Sequence, residues 1–214
     1  MPRQIPFEQR VGIFIDVQNM FYAAKHLYGS KLNFTKLLDY IAKGRPLCRA
    51  IAYIVRTPEI DQSNFLTMLR SNGYEVRIKD LKQRPDGTAK GDWDMGMALD
   101  AMAMSEKLDV IAIVSGDGDF VELVNFLKAR GVRVEVYSFP YSTAEELRLS
   151  ATEFVQMGPE VVLNPGQLQR PIGRGFPGEF EMQADEDSEG EDDDDEEEAE
   201  SADDYEDADE PALS

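Results

Sequence analysis

Two kinds of hydrophobic pattern alternate along the chain. Short runs rich in β-branched and other apolar residues occur at residues 11–16, 47–55, 74–78, 110–114 and 132–137, and each reads as a strand, those at 47–55 and 110–114 as buried ones. Between them, apolar residues recur three or four positions apart, as on the inner stripe of a helix. They are Met20, Phe21, Ala24 and Leu27, then Leu37, Leu38 and Ile41 within a helix over 34–42, and then the segment 60–69. Further on, Met95, Ala98, Leu99 and Met102 read as the core positions of a helix starting near Gly91, and Val121, Val124 and Leu127 as those of a helix over 120–130. A last short helix over 143–149 precedes Phe154 and Val155. Gly44 and Pro46, Asn72-Gly73 and Gly131 supply stops, and residues 79–92 read as a polar loop turning at Pro85-Asp86-Gly87. Strands alternating with helices at this spacing predict an α/β fold, a three-layer α/β/α domain around a mainly parallel sheet of five or six strands.

Charge sharpens the domain boundaries. Residues 181–214 hold 20 of the 42 acids and none of the 22 bases, which leaves 22 acids against 22 bases in the first 180 residues. The net charge of −20 therefore belongs to the C-terminal stretch. Its unbroken acidic run, Glu191 to Glu198, is too charged and too poor in apolar residues to cover the entropy of ordering, so a disordered tail is expected. The organisation expected is an N-terminal arm over 1–9, a domain over 10–160, a linker over 161–180 and the tail over 181–214. The one cysteine, Cys48, can form no internal disulfide and reads as a small buried residue in Leu47-Cys48-Arg49. No stretch is apolar for long enough to span a bilayer and the N-terminus carries no export signal, so a cytoplasmic location with no membrane partner is expected.

Candidate chemistry lies where strands end. Asp16 closes the first strand, and Asp117 and Asp119 follow the strand at 110–114 in the string Ser115-Gly116-Asp117-Gly118-Asp119. In a doubly wound sheet whose order reverses beside the first strand, these carboxylates converge at the C-terminal edge, and Asp94, in the first turn of its helix, reaches the same place. Oxygen ligands unaccompanied by His or Cys suit a hard cation, Mg²⁺ or Mn²⁺, as one or two ions. Asn19 can add a neutral oxygen or orient a water, and Ser115 can orient a ligand. Taken singly, Asp16 and Asp119 also read as helix caps, and Asp94 as complementing its helix dipole. Acids from three separate junctions, at one end of one sheet, repel one another unless a cation sits among them.

Other residues fit less into this cluster. Asp100 lies about 240° round the helix from Asp94 and reads as salt-bridged or solvated. His26, the only histidine, reads as a surface or packing residue, and Trp93 either packs its helix or stacks on a base. Lys79, Lys82, Arg84 and Lys90 precede Asp94 in the polar loop, where they can hold a phosphate backbone or simply be solvated.

Three strings together carry a resemblance: Phe14-Ile-Asp16-Val-Gln-Asn19, Lys90-Gly-Asp-Trp-Asp94 and Val114-Ser-Gly-Asp117-Gly-Asp119-Phe. In this order and spacing, the chain resembles the NYN domain of the LabA-like group, within the PIN-like nucleases, over roughly residues 10–157. The resemblance implies a PIN-like fold, metal binding at Asp16, Asp94, Asp117 and Asp119, a catalytic asparagine at Asn19, and metal-dependent endonucleolytic hydrolysis of RNA. The family's Ala-Asp-Phe near the domain end is replaced here by Ala151-Thr-Glu153-Phe154. The alternative is a regulatory module of the same fold that binds RNA or protein without cutting. The tail reads as a solubilising or partner-docking segment, or as a competitor for the basic loop.

Overall fold

The computed structural model describes residues 8–56, 61–83, 89–90 and 93–163, with backbone alone at 82–83 and 89–90. The acidic tail, the linker beyond Leu163, Arg84 and the Pro85-Asp86-Gly87 turn lie outside the described residues. The described elements are β1 (Val11–Asp16), α1 (Val17–Tyr28), α2 (Phe34–Ala42), β2 (Leu47–Arg56), α3 (Ser63–Ser71) and β3 (Glu75–Asp80). They continue with β4 (Lys82–Gln83), β5 (Ala89–Lys90), α4 (Asp94–Met104), β6 (Val110–Val114), α5 (Val121–Ala129), β7 (Arg133–Ser138), α6 (Glu145–Ser150) and β8 (Glu153–Gln156).

Six strands form one parallel sheet in the order β3-β2-β1-β6-β7-β8. Crossovers from β1 lead outward on one side and those from β6 outward on the other, so the order reverses between β1 and β6. Alternation along each strand feeds two cores. Ile13, Ile15, Ala52, Ile54, Ala112 and Val114 face α1, α2 and α3, while Phe14, Ile51, Tyr53, Ile111, Ile113 and Val136 face α4, α5 and α6. The central strand β6 is buried along its whole length, as its unbroken Val-Ile-Ala-Ile-Val requires. Among the described residues no helix is long and apolar enough to cross a membrane.

Three local expectations are corrected. Cys48 is exposed: a register shift between Val11 and Gly12 skips it in the pairing with β2, and an unpaired bulge residue is re-aimed outward. Met95 and Leu99 of α4 are exposed, at 69% and 55%, and Met97 and Ala101 are the buried positions instead. The helix is apolar on every side, so periodicity could not choose its inner face. The stretch 79–92 also carries regular structure: β3 runs through Asp80, and β4 pairs antiparallel with β5, Lys82 opposite Lys90.

One buried ion network ties α2's C-terminal end to the sheet. Glu135, 4% exposed, accepts from both Arg45 terminal nitrogens at 2.8 and 2.9 Å, from Arg133 at 3.1 Å and from the Tyr137 hydroxyl at 2.8 Å. Burial alone would raise its pKa, but hydrogen bonds from Arg45, Tyr137 and Arg133 outweigh it and hold the carboxyl down at about 2. A carboxyl depressed on folding stabilises fully above its ordinary pKa and loses that contribution as pH falls through the folded value. Urea unfolding of the native chain is therefore expected to lose on the order of 3 kcal/mol through this group between about pH 4.5 and 2. Glu135→Gln is expected to be less stable at pH 7 and to show a flatter dependence over that window. Parallel pH profiles of the two proteins would contradict this.

Candidate metal centre

The site forms where β1 and β6 end side by side. Their parallel register sets Ile15 against Val114, so both chains leave the sheet together at its C-terminal edge. From β1 the chain turns directly into α1, with Asp16 as N-cap: its Oδ1 accepts the Asn19 N–H at 3.0 Å. From β6 it passes through Ser115 and Gly116 into a 3₁₀ turn, Gly118–Phe120, capped by Asp117, whose Oδ1 accepts the Asp119 N–H at 3.0 Å. Buried Ser115 accepts the Asp117 N–H at 3.2 Å, which fixes the backbone that presents the aspartate.

Gly116 is the most constrained point of this turn. Its N–H donates to Asn19 Oδ1 at 3.0 Å and its carbonyl accepts the Ala144 N–H at 2.9 Å. A Cβ added there would stand 1.7 Å from the Ser142 carbonyl oxygen, so only glycine fits. The side chain of Asn19 thus braces the turn, with its oxygen already engaged by Gly116. The next glycine, Gly118, lies under the carboxylate of Glu146, whose Oε1 would be 3.0 Å from an added Cβ. Glu146, on α6, is an acid beside the turn that no strand-end pattern marked.

The third element is α4, whose first turn carries Asp94. Asp94, Asp117 and Asp119 each present a carboxylate oxygen, and these three oxygens lie within 4.8 Å of one another. Asp94 and Asp117 are half-buried and Asp119 is exposed. Three hard oxygen donors at this spacing, with no nitrogen or sulfur ligand among them, fit a hard divalent cation. Asp16 stands outside that trio but close enough for Asp117 to act on it. Burial pushes its carboxyl up to about 6, the charge of Asp117 adds to the rise, and N–H groups of Asn19 and Gln18 oppose it.

The remaining candidates are distributed around this core. Lys79 lies on β3, not in a loop, with its Nζ 4.7 Å from the centre of the Trp93 ring. The side chains of Lys82 and Lys90 are outside the described residues. Trp93 packs its helix: its Nε1 donates to the Ile54 carbonyl at 2.9 Å and its ring meets Tyr53 at 5.4 Å. Asp100 accepts the Tyr53 hydroxyl at 2.9 Å and pairs with Arg77 at 3.4 Å. His26 is an exposed residue in the last turn of α1. Glu153 is paired with Arg133.

The model of the NYN domain matches residues 10–158. The chain belongs to the NYN domain family. Within it, the chain is 32% identical over 157 residues to the low amplitude and bright protein LabA of Synechococcus elongatus, covering 69% of this chain and 83% of that protein. A crystal structure of a protein of unknown function from Vibrio parahaemolyticus shares the fold with a TM-score of 0.69 and 34% identity, over 75% of this chain and 99% of that one. The aspartates and the glycine turn described above all fall inside the matched NYN region.

Because Gly116 meets backbone and not a flexible side chain, Gly116→Ala is expected to cost about 2–3 kcal/mol by overpacking. That corresponds to a fall in Tm of roughly 4–12 °C for a domain of this size. An unchanged Tm would show that the 139–144 loop yields freely.

Proposed function

We propose that this NYN domain is a metal-dependent endoribonuclease that hydrolyses RNA phosphodiester bonds with Mg²⁺ or Mn²⁺ held by Asp94, Asp117 and Asp119. The observation that carries the reading is the convergence of these carboxylates, from two separate elements, to within 4.8 Å. Like charges so placed repel in the absence of a cation and gain nothing for a module that only binds phosphate. The choice of RNA rests on the likeness to NYN and PIN-like proteins.

A bound divalent cation supplies a more acidic water and offsets charge on the leaving oxygen. The chain's own residues supply the placement. Asp117 is fixed by Ser115 and by the Asp119 amide, so its carboxylate is oriented before any ligand arrives. Exposed Asp119 forms the solvent side of the trio, where a phosphodiester approaches. Asp16 adds negative charge near Asp117 while capping α1, and Asn19 keeps the two strand ends together through Gly116. Lys79, over the ring of the residue that precedes Asp94, is a cation that could contact the RNA backbone.

The test is cleavage of an end-labelled single-stranded RNA by the full chain in EDTA, Mg²⁺ or Mn²⁺, beside Asp94→Asn and Asp117→Asn. Cleavage is expected with either metal, none in EDTA, and a loss of at least about 100-fold in each variant. RNA binding without metal, undiminished in Asp94→Asn and accompanied by no cleavage, would instead establish a non-catalytic binding module.

A further inference from the structure

A cation site at Asp94, Asp117 and Asp119, on which this inference rests, needs Asp94 to be aimed at its two partners. Asp117 and Asp119 share one tight turn, but Asp94 arrives on a separate helix with no side-chain N-cap. That helix is apolar on every side, with Met95 and Leu99 exposed and Met97 and Ala101 buried, so burial alone does not select its rotation. One residue of rotation would carry Asp94 about 100° round the axis and away from the other two carboxylates.

We propose that Trp93 is the positioning residue that sets Asp94 against Asp117 and Asp119. Its indole N–H is bonded to the Ile54 carbonyl at 2.9 Å, and β2, which carries Ile54, is hydrogen-bonded to β1. This ties the start of α4 to the edge where Asp16 and the glycine turn lie. The ring is held on several sides. Tyr53 lies 5.4 Å away, the Lys79 ammonium stands 4.7 Å from the ring centre, and an added Cβ on Gly96 would come within 2.5 Å of it. The first helical hydrogen bond, Met97 N–H to the Trp93 carbonyl at 2.7 Å, joins the anchored residue rigidly to the helix it starts. Asp100, bonded to the Tyr53 hydroxyl, is a second tether further along. With two tethers to neighbouring residues of β2, both the rotation and the height of Asp94 are defined. The absence of a Cβ at Gly96 is part of the same device, since the ring occupies that space.

The test measures Mn²⁺ affinity, by calorimetry on the full chain, in the native protein, Trp93→Phe, Asp94→Asn and the double variant. Phenylalanine keeps a ring and removes the N–H. Trp93→Phe is expected to bind Mn²⁺ on the order of tenfold more weakly, at the lower end of what losing an outer-shell partner does. In the double variant the effect should vanish: it should bind no more weakly than Asp94→Asn, because Trp93 acts through Asp94. Gly96→Ala reaches the same ring from its other side. It is expected to shift the emission of Trp93, the chain's single tryptophan, and to weaken Mn²⁺ binding likewise. Native-like affinity in folded Trp93→Phe, or losses that simply add in the double variant, would overturn the positioning role and leave the cation site standing. No Mn²⁺ binding by the native chain would overturn both.

Discussion

Parallel pairing of β1 with β6, at the point where the strand order reverses, is the constraint on which the site depends. Parallel strands end on the same edge, and the two crossovers that leave them diverge, one to each side of the sheet. That divergence opens a crevice between the first turn of α1 and the turn before α5. Side chains placed there need only be acidic to become neighbours. Had β6 paired at an outer edge, Asp16 and Asp117 would stand at least a strand width apart and no local device could rejoin them.

Within that crevice the polar groups are used economically. Asp16 caps a helix and Asp117 caps a 3₁₀ turn, so each of these two aspartates spends one oxygen on backbone it also organises. Asn19, on α1, supports a glycine that belongs to the other strand. These bonds offset part of the cost of crowding carboxylates before any counter-ion is present. They also explain the Ser-Gly-Asp that opens the turn: the Ser115 hydroxyl, the missing Cβ at Gly116 and the Asp117 carboxylate each meet a separate steric or hydrogen-bonding demand.

Much of this was legible from residue types alone. A fully apolar, β-branched run bounded by turn residues reads as a buried parallel strand, and acids that follow it lie at the C-terminal edge of the sheet, where Asp117 and Asp119 stand after β6. What escaped had definite physical causes. The phase of α4 was invisible because its apolar residues surround the axis, and the tie is broken by the bonds from Trp93 to Ile54 and from Tyr53 to Asp100. A backbone carbonyl is the acceptor in the first of these, and no residue letter records it. The bulge that exposes Cys48 is a matter of register, and two-residue strands such as β4 and β5 are too short to show a period. The capping role of Asp16 was foreseen as an alternative, and it coexists with closeness to Asp117.

The open edges of the sheet have a consequence for behaviour at high concentration. An unpaired strand edge is a template for another chain, and among the described residues β3 and β8 are both such edges. On β3 the sequence Glu-Val-Arg-Ile-Lys-Asp places a charge at four of its six positions, with Glu75 paired to Arg49 and Asp80 to Arg56. On the opposite side β8 is only four residues long and opens on a glutamate bound to Arg133. A second molecule adding its own strand would have to strip these ion pairs from water and from each other. Among the described residues, both edges of the sheet thus carry charges that oppose edge-to-edge pairing.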